Sequence, residues 1–333
     1  MNEYEKIVPL SLDQVQTYSL KDRHSKVTHT DFAQPWRPGG SFQDYLNTLP
    51  KILAGLDIRK IAAAWVQARR QDHLVLLGFG AHVLKVGLSP LIIDLMHRSL
   101  ISAVALNGAG IIHDAEIAMV GRTSEEVEAV IGAGQFGMAE ETAVFLNRAI
   151  SWGVDQGLGL GEAVGRRLLE ADFPHNHLSV LAQAAASGIP ATIHVAVGTD
   201  IIHMHPSVDP AALGQATHQD FRVFAALVSR LAGGVYLNLG SAVILPEVFL
   251  KALSLARNLG SPVTPLTTVN LDFIQHYRPL TNVVRRPTQG SGQGFALTGH
   301  HEILFPLLAA MVVEECSEAT ARKNLPRDNT SPI

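Results

Sequence analysis

The sequence predicts an α/β protein with a doubly wound, mainly parallel sheet, and two observations support this fold class. First, continuously apolar, strand-like segments alternate with helical segments along most of the chain. Second, three apolar segments run directly into glycines, at 73–80 (HLVLLGFG), 102–110 (SAVALNGAG) and 233–242 (GGVYLNLGSA). Strands buried on both faces have this continuous apolar character. Ligands of open α/β sheets bind at the carboxyl ends of the strands, where glycine lets backbone N–H groups approach a phosphate or ribose. The pattern therefore predicts a nucleotide-type crevice.

The predicted elements follow one another in a regular order. We expect an N-terminal arm at 1–40, a single α/β domain at 41–315 and a polar tail at 316–333. In chain order the periodicity predicts helices at 42–56 and 58–70, a strand at 73–80, a helix at 86–100, a strand at 102–110, a helix-rich stretch at 123–187, a strand at 191–198, a helix at 218–232, a strand at 235–240, a helix at 246–260, a strand at 262–270 and a helix at 300–315. The TSEE sequence at 123–126 is typical of a capping box, and Gly260 of a helix C-terminus. Pro306 predicts a local irregularity in the last helix.

Composition narrows the class of protein. The chain has 333 residues, 47% of them apolar, and a formal net charge of −4, which argues against a nucleic-acid or anionic-membrane surface. The single cysteine, Cys316, leaves neither a disulfide framework nor a thiolate metal site. The first residues lack the features of a secretory signal, and no uncharged apolar stretch of about 18 residues predicts a membrane span. We therefore expect a cytoplasmic protein whose partner is a small molecule.

One motif fits a dinucleotide fingerprint but lacks its context. The sequence GAGQFG at 132–137 matches G-x-G-x-x-G, yet a fingerprint also needs a buried strand before its first glycine. The preceding SEEVEAVI carries three glutamates, which suit a capped helix better than a central strand. We interpret the motif as a glycine-rich loop between helices.

Histidines and charged pairs supply the candidates for chemistry. Of fifteen histidines, His203 and His205 lie close to Asp200 in the sequence and could in principle supply a metal site. We favour histidines that line a polar cleft and predict no metal. The adjacent Arg285 and Arg286 are either an anion clamp or a solvated pair. No G-x-S-x-G elbow occurs, which argues against a serine hydrolase.

The order of these segments resembles that of the deoxyhypusine synthase family, NAD-dependent enzymes of the sirtuin-like nucleotide-binding superfamily. The resemblance extends from about residue 42 to residue 311. It rests on the blocks LLGFGAHVLKVGL, ALNGAGIIHDAEI, GTDIIHMH, VYLNLGSAV and HHEILFPLLAA. It implies a Rossmann-like fold, NAD as the cofactor, and a homo-oligomer (a dimer or tetramer) with sites shared at a subunit interface.

The resemblance also places functional positions on this chain. The family's NAD-contacting loops fall on the glycine-bearing turns, and its aspartate near the C-terminal helix has become His300. Asp114 either accepts from a ribose hydroxyl or caps a helix. Asp200 falls where the family places a carboxylate against its polyamine substrate. The predicted cofactor-binding residues are Gly78, Gly80, Ala81, His82, Asn107, Gly108, Gly110, Asp114, Gly240, Ser241, Thr268 and His300.

One departure from the family concerns its reaction. When the family's Arg-Pro pair is aligned on 278–279, Thr281, Arg285 and Pro287 stand where the family has glutamate, tryptophan and the imine-forming lysine. An imine needs a primary amine, which arginine does not supply. We therefore predict a paralogue without deoxyhypusine chemistry, whose arginines favour a small anionic metabolite.

Three functions remain open. The first is an NAD-dependent transferase or oxidoreductase, with Asp200 orienting the substrate, a histidine (His82, His203 or His205) moving a proton, and Arg285 and Arg286 holding an anion. The second is a non-catalytic nucleotide sensor or scaffold. The third is a His/Asp metal-dependent hydrolase.

Overall fold

The computed structural model of the protein describes residues 2–324, and the predicted tail beyond Asn324 lies outside the described residues. The boundary between two compact units falls after Leu56, so the predicted end of the arm at residue 40 lies within the first unit. That unit contains three short 3₁₀ turns and helix α1 (Phe42–Thr48), which Ser41 and Asp44 begin as a capping box. Many of its large apolar side chains are exposed.

The second unit contains a six-stranded, all-parallel sheet. Its strands are β1 (Val75–Phe79), β2 (Ala103–Asn107), β3 (Ala191–His194), β4 (Val235–Leu239), β5 (Thr267–Asp272) and β6 (Gln293–Thr298). They lie in the order β3-β2-β1-β4-β5-β6, and every neighbouring pair is parallel. The predicted fold class, a doubly wound α/β sheet of Rossmann-like topology, is confirmed.

The helices alternate with the strands as predicted, with several changes of boundary. They are α2 (Leu53–Arg70), α3 (His82–Lys85), α4 (Ser89–His97), α5 (Gly108–Val120), α6 (Val127–Val130), α7 (Glu140–Asp155), α8 (Leu160–Ala171), α9 (Val180–Ser187), α10 (Pro210–Ser229), α11 (Ile244–Asn258), α12 (Tyr277–Pro279) and α13 (His301–Asn324). A π-helical segment, Leu280–Arg285, follows α12. None of the helices in residues 2–324 combines the length and the apolar character needed to cross a membrane.

Two local predictions were wrong, and one strand was not predicted, for identifiable reasons. Pro50 ends the first predicted helix early, and α2 then runs through the predicted break at residue 57. The predicted capping box at 123–126 does not form, because the Thr123 hydroxyl bonds to Glu116 instead. Strand β6 was not predicted, because it is an edge strand with alternating exposure after a glycine-rich stretch. Helix α13 includes Pro306 and extends past residue 316, where the predicted polar tail begins.

Both faces of the sheet are covered. On one face, Leu76, Ala105 and Tyr236 form a core with α10 and α11, in which Tyr236 stacks on Phe249 with ring centroids 3.9 Å apart. Every residue of β1 and β4 is buried. This double burial accounts for the continuous apolar strands of the sequence.

The outer edge of β3 is covered by side chains of α10. The Ile193 N–H donates to Asp220 Oδ2 (2.6 Å), and the same oxygen accepts from the Gly161 N–H at the start of α8 (2.8 Å). Thr217 donates to the Ile193 carbonyl (2.9 Å) and accepts from the Val195 N–H (3.2 Å). Burial raises the pKa of Asp220 to about 7, although the hydrogen bonds from these amides lower it.

This raised pKa predicts an unusual pH dependence of stability. Between about pH 4 and about pH 7 the folded protein keeps a proton on Asp220 that the unfolded chain has lost. The free energy of unfolding contributed by Asp220 therefore falls through this window, by at most about 1.4 kcal/mol per pH unit. Asparagine does not titrate, so Asp220→Asn should gain stability relative to the wild type between about pH 5 and about pH 8. Urea unfolding across this range measures the difference. Asp94→Asn, at an exposed ion pair with Arg98, is the control, and parallel curves for Asp220→Asn and the wild type would contradict the prediction.

Candidate functional site

The carboxyl edge of the sheet contains the point where the strand order reverses, between β1 and β4. There the Gly80 N–H donates to the Leu239 carbonyl (3.0 Å), and the Gly240 N–H donates to the Leu271 carbonyl (3.1 Å). A Cβ on Gly80 would lie 2.6 Å from the Gly240 carbonyl oxygen. The loops after β1 and β4 thus meet backbone to backbone, which is why glycine is needed at both positions.

A cluster of rings lies beside this meeting point, and we call it the His301 cluster: His82, Asp272, Phe273, His300 and His301. The His301 ring is fully buried and lies 5.4 Å from the His82 ring and 5.6 Å from the Phe273 ring, between centroids. Its Nε2 is 3.5 Å from Asp272 Oδ1, and neither ring nitrogen makes a hydrogen bond within the described residues. His300, which was predicted to contact the cofactor, is exposed and stacks on Phe273 at 6.3 Å.

His82 is the member of this cluster that begins α3 beside solvent. Partial desolvation lowers its pKa, as do the nearby His301 and Lys85, while Glu302 and Asp272 raise it. The loss of hydration outweighs the carboxylates, so the neutral imidazole is favoured.

A second group, the Asp200 cluster, lies at the ends of β2 and β3 and consists of Asn107, Gly108, Asp200 and His203. Asp200 Oδ2 is buried against the Cα of Gly108. Among residues 2–324, it makes no hydrogen bond, and Asn107 Oδ1 and His203 Nε2 are likewise buried without partners. His203 Nδ1 accepts from the Gly198 N–H (3.0 Å), so its Nε2 carries the proton when the ring is neutral. The cluster therefore offers two acceptors and one donor.

The environment of Asp200 favours its neutral form. Burial raises the pKa of the Asp200 carboxyl, although His203, the Ala196 and Ala109 amides and the Thr199 hydroxyl oppose the shift. A carboxyl group in such surroundings is suited to exchange hydrogen bonds with a ligand hydroxyl.

His205 is not free to act on a ligand in this structure. Its Nδ1 pairs with the Ser207 hydroxyl (2.7 Å) and its Nε2 with Glu140 Oε2 (3.0 Å). Asn147 donates to the same Ser207 hydroxyl (2.9 Å). His205 thus ties its loop to α7.

Asp114 caps a helix, which is one of the two roles considered from the sequence. It is fully buried, and it accepts from the Ser179 hydroxyl (2.5 Å) and from the Val180 (2.8 Å) and Leu181 (3.1 Å) amides at the start of α9. Burial raises its pKa to about 6.

Arg285 and Arg286 are exposed and lie along α11. Arg286 donates to Asn282 Oδ1 (2.8 Å), and Asn282 donates to Glu247 Oε1 (2.9 Å) in the first turn of α11. Glu247 also lies 3.4 Å from the Arg278 guanidinium.

No hydrogen bond or ion pair within residues 2–324 joins Arg285 or Arg286 to Asp200. The carbonyl of Pro287 accepts from Arg257 (3.0 Å) in the last turn of α11, at the opposite end from the carboxyl edge. Asp200 lies instead against Gly108, after β2.

Several predicted cofactor residues serve the packing of the sheet. Gly78 leaves room for the Tyr236 hydroxyl, and Gly110 for the Leu106 side chain. Ser241 accepts from the Leu245 N–H (3.2 Å) at the start of α11.

Four of the predicted residues lie at the carboxyl edge or in the elements next to it. Thr268 is buried within β5, and its hydroxyl has no partner within the described residues. Ala81 precedes α3. Gly108 and Gly110 belong to the first turn of α5 rather than to a loop.

Two expectations about motifs can be compared with the structure. The 132–137 sequence follows helix α6 and a 3₁₀ turn rather than a strand, which confirms that it is not a dinucleotide fingerprint. Within residues 2–324, no three His, Cys, Asp or Glu side chains form a group that could hold a metal ion.

Sequence reasoning missed the polar ladder that joins the loops of the edge. The buried side chain of Asn238 donates to Asn270 Oδ1 (2.7 Å) and to the Ser241 carbonyl (2.9 Å). Asn270 donates to Gln275 (2.8 Å), which donates to the Leu297 carbonyl (2.9 Å). Asparagine inside the apolar runs VYLNL and TTVNLD was the signal for this ladder. His301, which follows the predicted His300, and Asp272, two residues after the predicted strand 262–270, were also missed.

Gly240 provides a stability test of the edge. Its φ is +67°, and a Cβ there would lie 2.6 Å from His301 Cε1. Gly240→Ala should therefore cost about 2–4 kcal/mol, from backbone strain plus the contact with the ring. Gly260→Ala is the matched control, because Gly260 has a φ of +90° with open space around it, and it should cost only about 1 kcal/mol. Equal losses in urea unfolding would show that His301 does not occupy this position.

Comparison with known proteins identifies similar folds. No protein-family model matches the sequence, and no curated protein sequence is significantly similar to it. A deoxyhypusine synthase structure from Entamoeba histolytica is 12% identical with a TM-score of 0.51, over 85% of this chain and 96% of that one. A LOR/SDH protein of Methanococcus maripaludis S2 is 13% identical with a TM-score of 0.51, over 80% and 71% of the two chains.

A further similar structure contains two ligands. AgrE in its ternary complex with ornithine and NAD⁺ is 16% identical with a TM-score of 0.50, over 80% of this chain and 34% of that one. The chain thus spans about a third of the length of AgrE. At these identities the similarities show the fold, which is that of deoxyhypusine synthase and LOR/SDH-like proteins.

Proposed function

We propose that the protein binds NAD or a related nucleotide at the carboxyl edge of its sheet and acts there on a small metabolite. The observation that carries this proposal is a set of buried polar atoms without partners, Asn107 Oδ1, Asp200 Oδ2, His203 Nε2 and the ring nitrogens of His301, at the ligand-binding edge of a sheet with Rossmann strand order. Buried polar groups are almost always hydrogen-bonded, so groups left over at such an edge are suited to a ligand.

The Asp200 cluster fits the ribose of a nucleotide. Asn107 Oδ1 and Asp200 Oδ2 accept hydrogen bonds, which ribose hydroxyls donate, and His203 Nε2–H donates one. Gly108 has no side chain, which lets the Asp200 carboxyl group approach the first turn of α5.

The His301 cluster fits the other part of a dinucleotide. It lies on the opposite side of the strand-order reversal, where a second half-molecule binds in doubly wound folds. The rings of His82, Phe273 and His300 offer stacking surfaces for a planar base. A bound nicotinamide would supply hydride transfer, and Asp200, His203 and His82 would orient the substrate or hold its proton.

We propose that this activity differs from deoxyhypusine synthesis. The segment aligned with the family's lysine supplies arginines and Pro287. Lys251 pairs with Glu247 on α11, and Lys85 belongs to α3. Neither lies in the segment where the family forms its imine.

Calorimetry with NAD⁺ tests the proposal. The wild type should bind NAD⁺, and Asn107→Ala should weaken the binding about tenfold, which corresponds to about 1.4 kcal/mol for one lost hydrogen bond. Asn258→Ala, at the end of α11 and exposed, is the matched control and should bind as the wild type does. A folded wild type without affinity for NAD⁺, NADH or other adenine nucleotides would refute the proposal. Binding without turnover across a broad substrate panel would identify the sensor considered from the sequence.

We also propose that the protein is a homo-oligomer, a dimer or tetramer, with the carboxyl edge near its interface. The loops around this edge expose Val197 (82%), Tyr277 (73%) and Ile274 (52%), a concentration of apolar surface typical of interfaces. Light scattering should give two or four times the mass of one chain, and Val197→Glu should shift the distribution toward the monomer. A monomeric wild type at micromolar concentration would contradict the proposal.

A further inference from the structure

A separate cavity of about 170 Å³ adjoins the Asp200 cluster. Its lining includes Lys85 of α3, His113 and Glu116 of α5, Glu125, Phe136 and Ile201, the residue after Asp200. Pockets for drug-sized ligands measure roughly 300–1,000 Å³, so this cavity fits a molecule of only a few heavy atoms.

Hydrogen bonds fix the orientation and the tautomer of His113. The Thr123 hydroxyl donates its only proton to Glu116 Oε2. It can therefore only accept from His113 Nδ1 (2.7 Å), which must carry the ring proton. Nε2 of the neutral ring is left as an acceptor, and it makes no hydrogen bond among residues 2–324.

The third member of this chain of hydrogen bonds is itself held in place. Glu116 Oε1 accepts from the Thr142 hydroxyl of α7 (3.2 Å), so both carboxylate oxygens are used. An imidazole whose orientation is fixed in this way presents one defined acceptor atom, Nε2, for a ligand.

The surroundings of His113 keep it neutral. Burial lowers the pKa of His113 to about 4, and the charge of Lys85 contributes to the shift. The charged groups that face it are Lys85 from α3, Glu116 from its own helix and Glu125 from the loop after α5. Nε2 is therefore an acceptor at all pH values above about 5.

Lys85 supplies the opposite chemistry. Its ammonium group makes no ion pair within the described residues, whereas Glu125 accepts from the Gly137 N–H (2.9 Å) and Glu116 from two threonines. The cavity thus presents one cation without a partner and one neutral acceptor, beside the apolar Phe136 and Ile201.

We propose that this cavity binds a small hydroxy-carboxylate, with its carboxylate at Lys85 and its hydroxyl donating to His113 Nε2. The inference rests on the proposed function, because it names the class of the metabolite. The substrate hydroxyl donates to Nε2, which the hydrogen bonds from Nδ1 to Thr123 and from Thr123 to Glu116 hold as the acceptor nitrogen of the ring.

The test uses glycolate and lactate as probes, with and without NAD⁺, in calorimetry at about pH 7. At least one hydroxy acid should bind. Propionate, which lacks the hydroxyl, and lactamide, which lacks the charge, should each bind at least about tenfold more weakly. In ¹⁵N-histidine NMR spectra, the Nε2 signal of His113 should be that of an unprotonated nitrogen and should shift when the hydroxy acid is added.

Variants separate the two contacts. Lys85→Met and His113→Gln should each weaken binding of the hydroxy acid at least about tenfold. Thr123→Val keeps the size of the side chain but removes the bond to Nδ1, so the His113 signals should show both tautomers. The matched controls are Lys251→Met, whose lysine pairs with Glu247, and His97→Gln, at the exposed end of α4. Both should bind as the wild type does.

The outcomes distinguish this inference from the proposed function. If NAD⁺ binds but neither hydroxy acid does, or if Lys85→Met and His113→Gln bind them unchanged, the hydroxy-carboxylate site is refuted and the nucleotide site stands. If a hydroxy acid binds and shifts His113 while NAD⁺ does not bind, the nucleotide proposal fails and this site stands. Should His113→Gln not fold, the Lys85→Met affinity and the tautomer in Thr123→Val decide the question.

Discussion

The closure of the sheet between β1 and β4 is the constraint on which the carboxyl edge depends. In this strand order the chain continues from β1 toward β2 and from β4 toward β5, which lie on opposite sides of the β1–β4 pair. The loops that follow β1 and β4 therefore meet at the carboxyl end of this pair. They meet through Gly80 and Gly240, and the His301 ring fills the space that a side chain on Gly240 would need. The close approach of the two backbones thus limits where the His301 side chain of this site can lie.

Polar groups inside the molecule fall into two sets, and the contrast between them is informative. Asp114, Asp220 and Asn270 have side-chain oxygens that accept from amides or neighbouring side chains, and they hold helices and loops together. Within residues 2–324, Asn107 Oδ1, Asp200 Oδ2, His203 Nε2 and the two ring nitrogens of His301 have no such partners. An unpaired buried polar group costs about 1–3 kcal/mol, so a fold retains several of them together only where something else compensates. Five such atoms lie at the carboxyl edge of the sheet, and together they support a ligand there more strongly than any single residue does.

The central strands could be predicted from the sequence, but the hydrogen-bond partners of the buried polar residues could not. β1, β2 and β4 are apolar at most positions because both faces of these strands are buried, and that property is visible in the local sequence. β6 was missed because one side of an edge strand is exposed, which leaves an alternating and glycine-rich pattern. His205 resembled a catalytic residue, yet Glu140, which engages it, lies 65 positions away. Asp114 is likewise bonded to Ser179, 65 positions further on. Spacing along a chain does not reveal such contacts, because the turns that create them are set by tertiary packing.

The covering of β3 by α10 has a consequence for how molecules of this protein behave toward one another. An edge strand of a sheet normally presents free N–H and C=O groups, which can pair with a strand of another molecule and start aggregation. Here Asp220 and Thr217 occupy the N–H and C=O of Ile193 and the N–H of Val195. These side chains of α10 make the hydrogen bonds that a neighbouring strand would make. Because the Asp220 and Thr217 side chains occupy these groups, a strand of another molecule cannot pair with this edge of the sheet. Hydrogen bonds, rather than surface charge, thus oppose aggregation at β3.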